Sequence, residues 1–423
     1  MEKIKGFLFT NINTKQTVLK NTFWLLVSEF GMRILKFTIF VYVIRKLGAA
    51  EWGLFSYAFA IMGIFGLLSD IGINAVLLKE TSKNSEMKAN YISTGFFLKL
   101  FLSISSSLAL ILLLLVLPTE NELKSLIPFA AILLFIDSLR EFGFSLNRAF
   151  EKMELEAFTR IGTTALLIAL SFMFINKDAS AVKLFYAYIC SSIVGLFLMY
   201  LSLKKQIRNI ISGFKKELVT KILKESWPIG LATGLGALMI NTDTVILGWF
   251  ENTQKIGIYS TAQKINQIIY LFPVLTSVAM LPAFVRLANS NLTEMRKKII
   301  KITTYSLILT IPILIGCLFL GQYIFLILFG PEYAESVLIF KIMSVTILTV
   351  IPSSIISNAM FAEGNQKKMI PFVSITLTLN IILCLISIPK YGIIGAAVSM
   401  SISYTIGNIL LIINYIGRST KNI

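Results

Sequence analysis

Between residues 21 and 416 the chain is a succession of apolar runs, each about 20 residues long, separated by short polar clusters. A helix rising about 1.5 Å per residue crosses the roughly 30 Å hydrocarbon core in about 20 residues. In that medium every backbone N–H and C=O must be satisfied within the segment, so runs of this length fold as helices. Spans are expected near 21–44, 53–78, 91–117, 126–147, 158–175 and 181–203, and again near 227–249, 257–282, 299–329, 335–361, 369–388 and 393–416. Charged residues make up only 14% of the 423, against about 25% in soluble domains. The expected fold class is therefore an all-α polytopic membrane protein with 12 transmembrane helices.

An even number of spans returns both ends of the chain to one side, and charge counting says which. With the N-terminus inside, 26 Lys and Arg fall in the inner segments and 7 in the outer turns. That asymmetry places both termini in the cytoplasm. The net charge of +17 lies in short clusters between apolar runs, not in a soluble basic domain, which argues against nucleic-acid binding. The N-terminal stretch through Gln16 reads as a basic leader to the first helix rather than a signal peptide. The longest connection, Lys204 to Glu225, is basic and amphipathic, either lying on the inner leaflet or acting as a solvated linker. It divides an N-terminal lobe, 1–203, from a C-terminal lobe, 226–423, with 204–225 as linker.

The two halves carry a quiet duplication. Gly53-Leu54-Phe55-Ser56-Tyr57-Ala58 followed by Ile61 matches Gly257-Ile258-Tyr259-Ser260-Thr261-Ala262 followed by Ile265. Both open an inward-running span, six spans apart, so the halves form a parallel repeat of the kind used by transporters with a midplane cavity. Pro273, Pro312, Pro352 and Pro371 interrupt second-half spans, so bends are expected there.

Charges interrupt the apolar runs at helical spacing. Glu29, Arg33 and Lys36 share one face of the first span, and Asp137, Arg140 and Glu141 one face of the fourth. Asp70, Lys99, Asp243, Lys264 and Lys341 add single charges in other spans. A charge at the bilayer centre costs about 2.5–3.5 kcal/mol even on the lenient insertion scale, so these groups face protein or water. They either neutralise one another, as in Glu29 with Arg33 or Asp243 with Lys264, or line a wet cavity. Guanidinium forks suit phosphate oxygens, which makes Arg33, Lys36, Lys99 and Arg140 candidate anion-binding groups. Glu29, Asp70, Asp137, Glu141, Asp243, Lys264 and Lys341 are candidates for charge pairing or for coupling to Na⁺ or H⁺.

Other chemistry is missing from the sequence. Histidine is absent, which removes imidazole metal ligands and relays. Cys190, Cys317 and Cys384 sit in apolar runs and read as small hydrophobes. No Walker A motif or nucleophile elbow occurs, so neither a cofactor nor an enzyme activity is expected. Gly230, Gly234 and Gly236 read as small-residue helix packing.

A series of short motifs resembles one membrane family. Arg45-Lys46-Leu47-Gly48-Ala49-Ala50-Glu51-Trp52-Gly53, Ser69-Asp70-Ile71-Gly72 and Arg148-Ala149-Phe150-Glu151-Lys152-Met153 lie in the first half. Asn241 to Gly248, Ile256 to Ser260, Phe329-Gly330-Pro331-Glu332-Tyr333 and Ile388 to Ala397 lie in the second. In this order they resemble the O-antigen or capsule repeat-unit flippases of the multidrug/oligosaccharidyl-lipid/polysaccharide exporter superfamily. Lys79 departs from the pattern, standing where many relatives carry Arg; it keeps the charge and loses the bidentate fork. The resemblance implies two pseudo-symmetric six-helix lobes around a central cavity in a bacterial inner membrane. It also implies alternating-access transport of an undecaprenyl-pyrophosphate-linked oligosaccharide, with a polymerase and chain-length proteins of the same pathway as partners. The alternative within the superfamily is a cation-coupled multidrug exporter, for which Asp70 or Asp243 would be central.

Overall fold

A computed structural model of the protein describes residues 10, 14–83, 87–113, 121–204, 206, 213–270, 280, 283–288 and 290–421. The chain is all-helical through these residues. Its α-helices are α1 (Thr14–Leu68), α2 (Ile73–Lys83), α3 (Lys88–Leu112), α4 (Asn121–Ala149), α5 (Met153–Ile175) and α6 (Ala181–Leu203). There follow α7 (Lys216–Phe250), α8 (Thr253–Ile269), α9 (Leu292–Leu328), α10 (Ala334–Ser344), α11 (Ile347–Ala362) and α12 (Ile370–Lys421).

Seven of these helices are long and apolar enough to cross a membrane, or eight if the bent pair α10–α11 counts as one span. The difference from the expected spans has identifiable causes. Both α1 and α12 run past 50 residues and hold two expected spans each, divided at Gly48 (φ 74°) and Gly392 (φ 56°). Only a residue without a Cβ takes these left-handed angles at no steric cost. The expected second span is interrupted at Ser69–Gly72, where Ile71 and Gly72 both have positive φ. The charges of α4 keep it out of the apolar set, and α2 and α8 are short.

Pro312 and Pro352 lie inside α9 and α11; a 48° bend between α10 and α11 falls at the 345–346 step, and the kinks in α1 and α12 fall at Gly48 and Gly392, the latter three residues after Pro389. Pro371 is the second residue of α12, where the missing N–H has no intrahelical role. Pro273 and the N-terminal leader lie outside the described residues, as does part of the 204–225 linker; its last ten residues, 216–225, belong to α7.

By contacts the chain forms two compact units, 1–47 with 58–237, and 48–57 with 238–423. The first unit packs α4 on α6, α3 and α2, and α5 on α6. One core cluster there joins Ile73, Leu77, Tyr91, Phe142, Leu203 and Ile222. The second unit packs α9 on α11 and α10 on α8, with α12 against α10 and α11; its core joins Met295, Ile299, Ile356, Ala359 and Tyr415. The start of α7 belongs to the first unit because Lys79 Nζ meets Glu225 Oε2 at 2.9 Å and Ile222 enters that core. Side chains such as Leu309, Phe319 and Ile327 of α9 are exposed, the face a bilayer would cover.

An ion pair closes one end of the second unit. Arg296 Nε and Nη2 donate to the Glu363 carboxylate at 3.1 and 3.2 Å, and Tyr415 and Asn365 add further hydrogen bonds. Burial pushes the Glu363 carboxyl up, but these bonds and the Arg296 charge outweigh it and hold the group below its ordinary 4.5. A depressed carboxylate stabilises the fold above its unfolded value and loses that contribution as pH falls through the folded one. Purified Glu363→Gln protein should therefore unfold at a lower temperature than wild type at pH 7, and the gap should close below about pH 4.5. A gap that persists unchanged into acid would show that the carboxylate charge is not what stabilises this end.

Candidate functional site

The charged faces of α1 and α4 meet α5 and α6 inside the first unit. On α1, Arg33 Nε and Nη2 both donate to Glu29 Oε2, at 3.3 and 3.2 Å. On α4, Arg140 Nη2 lies 2.9 Å from Asp137 Oδ1. Ser192 of α6 ties that pair down, donating to Asp137 Oδ1 at 2.7 Å and accepting from Arg140 Nη1 at 3.0 Å. Lys36 is exposed to solvent and lies within electrostatic reach of Arg140, Arg160, Asp137 and Glu141. Arg148 in turn senses Glu141 and Glu29. The i, i+4 and i+7 spacing read from the sequence thus brings Glu29, Arg33 and Lys36 to one polar cluster with Asp137, Arg140 and Glu141.

The group that organises this cluster is one the sequence reading passed over. Glu156, near the start of α5, has no exposed side-chain surface. Its carboxylate accepts from Arg148 Nε and Nη2 at 2.8 and 2.6 Å and from Arg160 Nε at 2.8 Å. Arg160 Nη2 continues to Glu141 at 3.0 Å, and its guanidinium lies 4.1 Å from the Phe144 ring centroid. Two guanidiniums on one buried carboxylate offset the cost of taking its charge out of water. The sequence contained a signal in the i, i+4 spacing of Glu156 and Arg160, but the fifth span was expected from residue 158, whereas α5 begins at Met153.

Two donors in the cluster are unspent. Arg33 Nη1 and Arg140 Nε are buried and have no hydrogen-bond partner among the described residues. Buried polar groups are nearly always satisfied, so an orphaned guanidinium nitrogen calls for an acceptor that comes from outside the protein. The cluster's cations are Arg33, Lys36, Arg140, Arg148 and Arg160, and its carboxylates are Glu29, Asp137, Glu141 and Glu156. One positive charge is left in excess.

The remaining candidates lie elsewhere. Lys99 is buried, its Nζ 3.0 Å from Asp70 Oδ1. Asp70 Oδ1 also accepts the Asn74 amide at 3.3 Å, so it caps α2 just after the break. Lys264 and Lys341 are half-buried in the second unit. Asp243 there is fully buried. It accepts from Tyr259 Oη at 3.0 Å, Asn380 Nδ2 at 2.5 Å and Cys384 Sγ at 3.7 Å.

The long apolar helices and the charged cluster between them define a polytopic membrane protein with a polar interior. A family model described as "Polysaccharide biosynthesis protein" matches residues 18–288, and the chain belongs to that family. It is 27% identical over 88% of its length to "Probable flippase AglR" of Haloferax volcanii, covering 78% of that protein. It is 23% identical over 91% of its length to "Capsular polysaccharide biosynthesis protein CapF" of Staphylococcus aureus, covering 96%. Among solved structures, "Lipid II flippase MurJ, inward closed conformation" superposes with a TM-score of 0.72 at 21% identity, over 93% of this chain and 87% of that one. The apolar helices and these relatives mark the chain as a multi-pass membrane protein, and the relatives are named for flipping or polysaccharide biosynthesis rather than for an enzyme activity.

Removing the shared carboxylate leaves two guanidiniums facing each other. Glu156→Gln should cost about 3 kcal/mol of stability, the scale for breaking a buried ion pair, read as a lower unfolding temperature in detergent. In a double-mutant cycle with Arg160→Met the two losses should fall well short of adding. Additive losses would remove Glu156 as the organiser of the cluster.

Proposed function

We propose that this protein flips a lipid-linked oligosaccharide across the cytoplasmic membrane, the anionic phosphate linkage passing over the cluster of the first unit. The observation behind this reading is the pair of buried, partnerless donors, Arg33 Nη1 and Arg140 Nε, in a cluster with one cation in surplus. A phosphate oxygen is the acceptor such donors suit, and a water-poor setting strengthens each contact. Lys36, exposed beside them, adds a mobile charge. Lys99, paired with Asp70, contributes once that pair opens.

In this reading 12 spans form an N-terminal lobe, 1–203, and a C-terminal lobe, 226–423, joined by 204–225, with both termini cytoplasmic. Access alternates between the two faces. The carrier lipid is undecaprenyl pyrophosphate in a bacterial inner membrane, and the glycan is an O-antigen or capsule repeat unit handed on to polymerase and chain-length proteins. Relatives named as a flippase and as a capsular polysaccharide protein support the substrate class. Coupling falls to Asp243, whose hydrogen-bond donors are all neutral; H⁺ or Na⁺ bound there cancels a charge that burial makes costly. A multidrug exporter for cations fits less well, because the surplus charge of the cluster repels them.

Arg33→Ala and Arg140→Ala should each lower surface glycan roughly tenfold or more, the scale of one lost charge-assisted hydrogen bond, at normal protein levels. Arg33→Lys and Arg140→Lys should recover part of it. Full export by both alanine variants would overturn the assignment. Asp243→Asn should remove the dependence of transport on an imposed ion gradient while leaving the folded protein intact in size-exclusion chromatography. Transport that still follows the gradient would move coupling elsewhere.

A further inference from the structure

One face of α8, inside the second unit, is polar along its length. Tyr259, Asn266 and Tyr270 are spaced seven and eleven residues from the first, two and three turns of helix, so their side chains form a column. At one end Tyr259 Oη donates to Asp243 at 3.0 Å. Between them Gln263 Nε2 donates to the Ile240 carbonyl at 3.2 Å. Tyr259, Gln263 and Asn266 are all buried. Asn266 stands about 10 Å along the helix from Tyr259.

The other end of the column leaves one acceptor empty. Asn266 Nδ2 donates to Tyr270 Oη at 2.7 Å, Tyr270 Oη meets Thr346 Oγ1, and Thr346 Oγ1 donates to the Met343 carbonyl at 2.6 Å. Thr346 has a single hydroxyl hydrogen, so Tyr270 is the donor between those two. The donations therefore all run one way, away from Asn266. Asn266 has no exposed surface, and its Oδ1 has no hydrogen-bond partner among the described residues. A buried amide oxygen in that state calls for a donor or a cation.

The surroundings select a cation. Thr346 is buried at the 345–346 step, where the 48° bend separates α10 from α11. Threonine at a helix start ordinarily caps the first amides; here the hydroxyl makes no such bond and is engaged with Tyr270. Helix α10, which packs on α8, ends at Ser344 beside this step. The C-terminal end of a broken helix is the negative end of its dipole, the end such helices offer to small cations. After their hydrogen bonds, Tyr270 Oη and Thr346 Oγ1 each keep a lone pair. With Asn266 Oδ1 they make a string of three neutral oxygens. Hard oxygen donors without a carboxylate suit a monovalent ion better than calcium or magnesium, which recruit carboxylates. Lys264, two residues before Asn266, is turned about 200° away around α8.

We propose that Asn266, Tyr270 and Thr346 form a second small-cation site in this unit, separate from Asp243, and that it takes a monovalent ion of the sodium type. Its service as a stop for the driving ion on the way to or from Asp243 rests on the coupling reading above. Binding at the site does not.

The test uses full-length purified protein and sodium chloride as the probe, against choline chloride at equal ionic strength. In the Asp243→Asn background sodium should still raise the unfolding temperature by a few degrees, because an ion that binds the folded state stabilises it. Adding Asn266→Leu or Thr346→Val should abolish that shift. A sodium response already absent from Asp243→Asn protein, or one that survives both added changes, would overturn the second site. Asn266→Asp keeps the proposal exposed should the leucine variant not fold: a carboxylate there should lower the sodium concentration giving half the shift severalfold, and an unchanged concentration refutes it. Gradient-driven transport separates this from the coupling reading. If Asp243→Asn protein still follows an imposed gradient while its sodium shift depends on Asn266, coupling at Asp243 fails and the second site stands.

Discussion

A carboxylate without exposed surface, shared between two guanidiniums, is the interaction on which the polar interior of the first unit depends. Glu156 binds Arg148 from the end of α4 and Arg160 from its own helix. Through Arg160 it reaches Glu141, one turn beyond Asp137 on α4. An isolated charge so placed is expensive, and each guanidinium alone would be too. Held together they cost far less and fix the rotamers of residues on two helices. The cluster can then present Arg33 and Arg140 with donors left over, because the neighbouring charges are already matched. A site that must grip an anion and release it needs that kind of rigid, nearly neutral surround.

Much of this was legible in the sequence because the relevant physics is local. Glu29 with Arg33 and Asp137 with Arg140 are neighbours on their own helices, so spacing alone predicts each pair. Asp70 and Lys99 were legible only as single charges; that they pair is a product of packing. What spacing could not give were partners supplied by tertiary packing. Ser192 comes from α6, and the donors around Asp243 come from α8 and α12. The early start of α5 hid Glu156, because Glu154, Glu156 and Arg160 lower the hydropathy of a segment that is nevertheless helical. Proline gave the expectation of bends; the non-helical residues inside the two longest helices are Gly48 and Gly392, which supply left-handed angles.

The two units bury acid in opposite ways. The first matches carboxylates with cations and ends with one cation over. The second surrounds Asp243 with a phenol, an amide and a thiol, groups that orient a carboxylate without cancelling its charge. Coulomb attraction from outside is therefore felt differently in each: an anion is drawn to the first and a small cation to the second. Under the proposed function, the first would serve the cargo and the second the driving ion.

Helix α1 connects these functions mechanically. Its first part carries Glu29, Arg33 and Lys36, its middle carries Gly48 and Gly53, and its end runs into the break at Asp70. At Gly48 the φ of 74° leaves the next amide outside the helix ladder, and Glu332 accepts that amide, Ala49 N–H, at 2.8 Å. A helix that is kinked, capped by a carboxylate distant in sequence and broken again about 20 residues later is built from short rigid pieces. Residues 48–57 pack with the second unit while the flanking parts pack with the first. Among the described residues Arg33 is held by Glu29, a partner on its own helix, which leaves its Nη1 unspent.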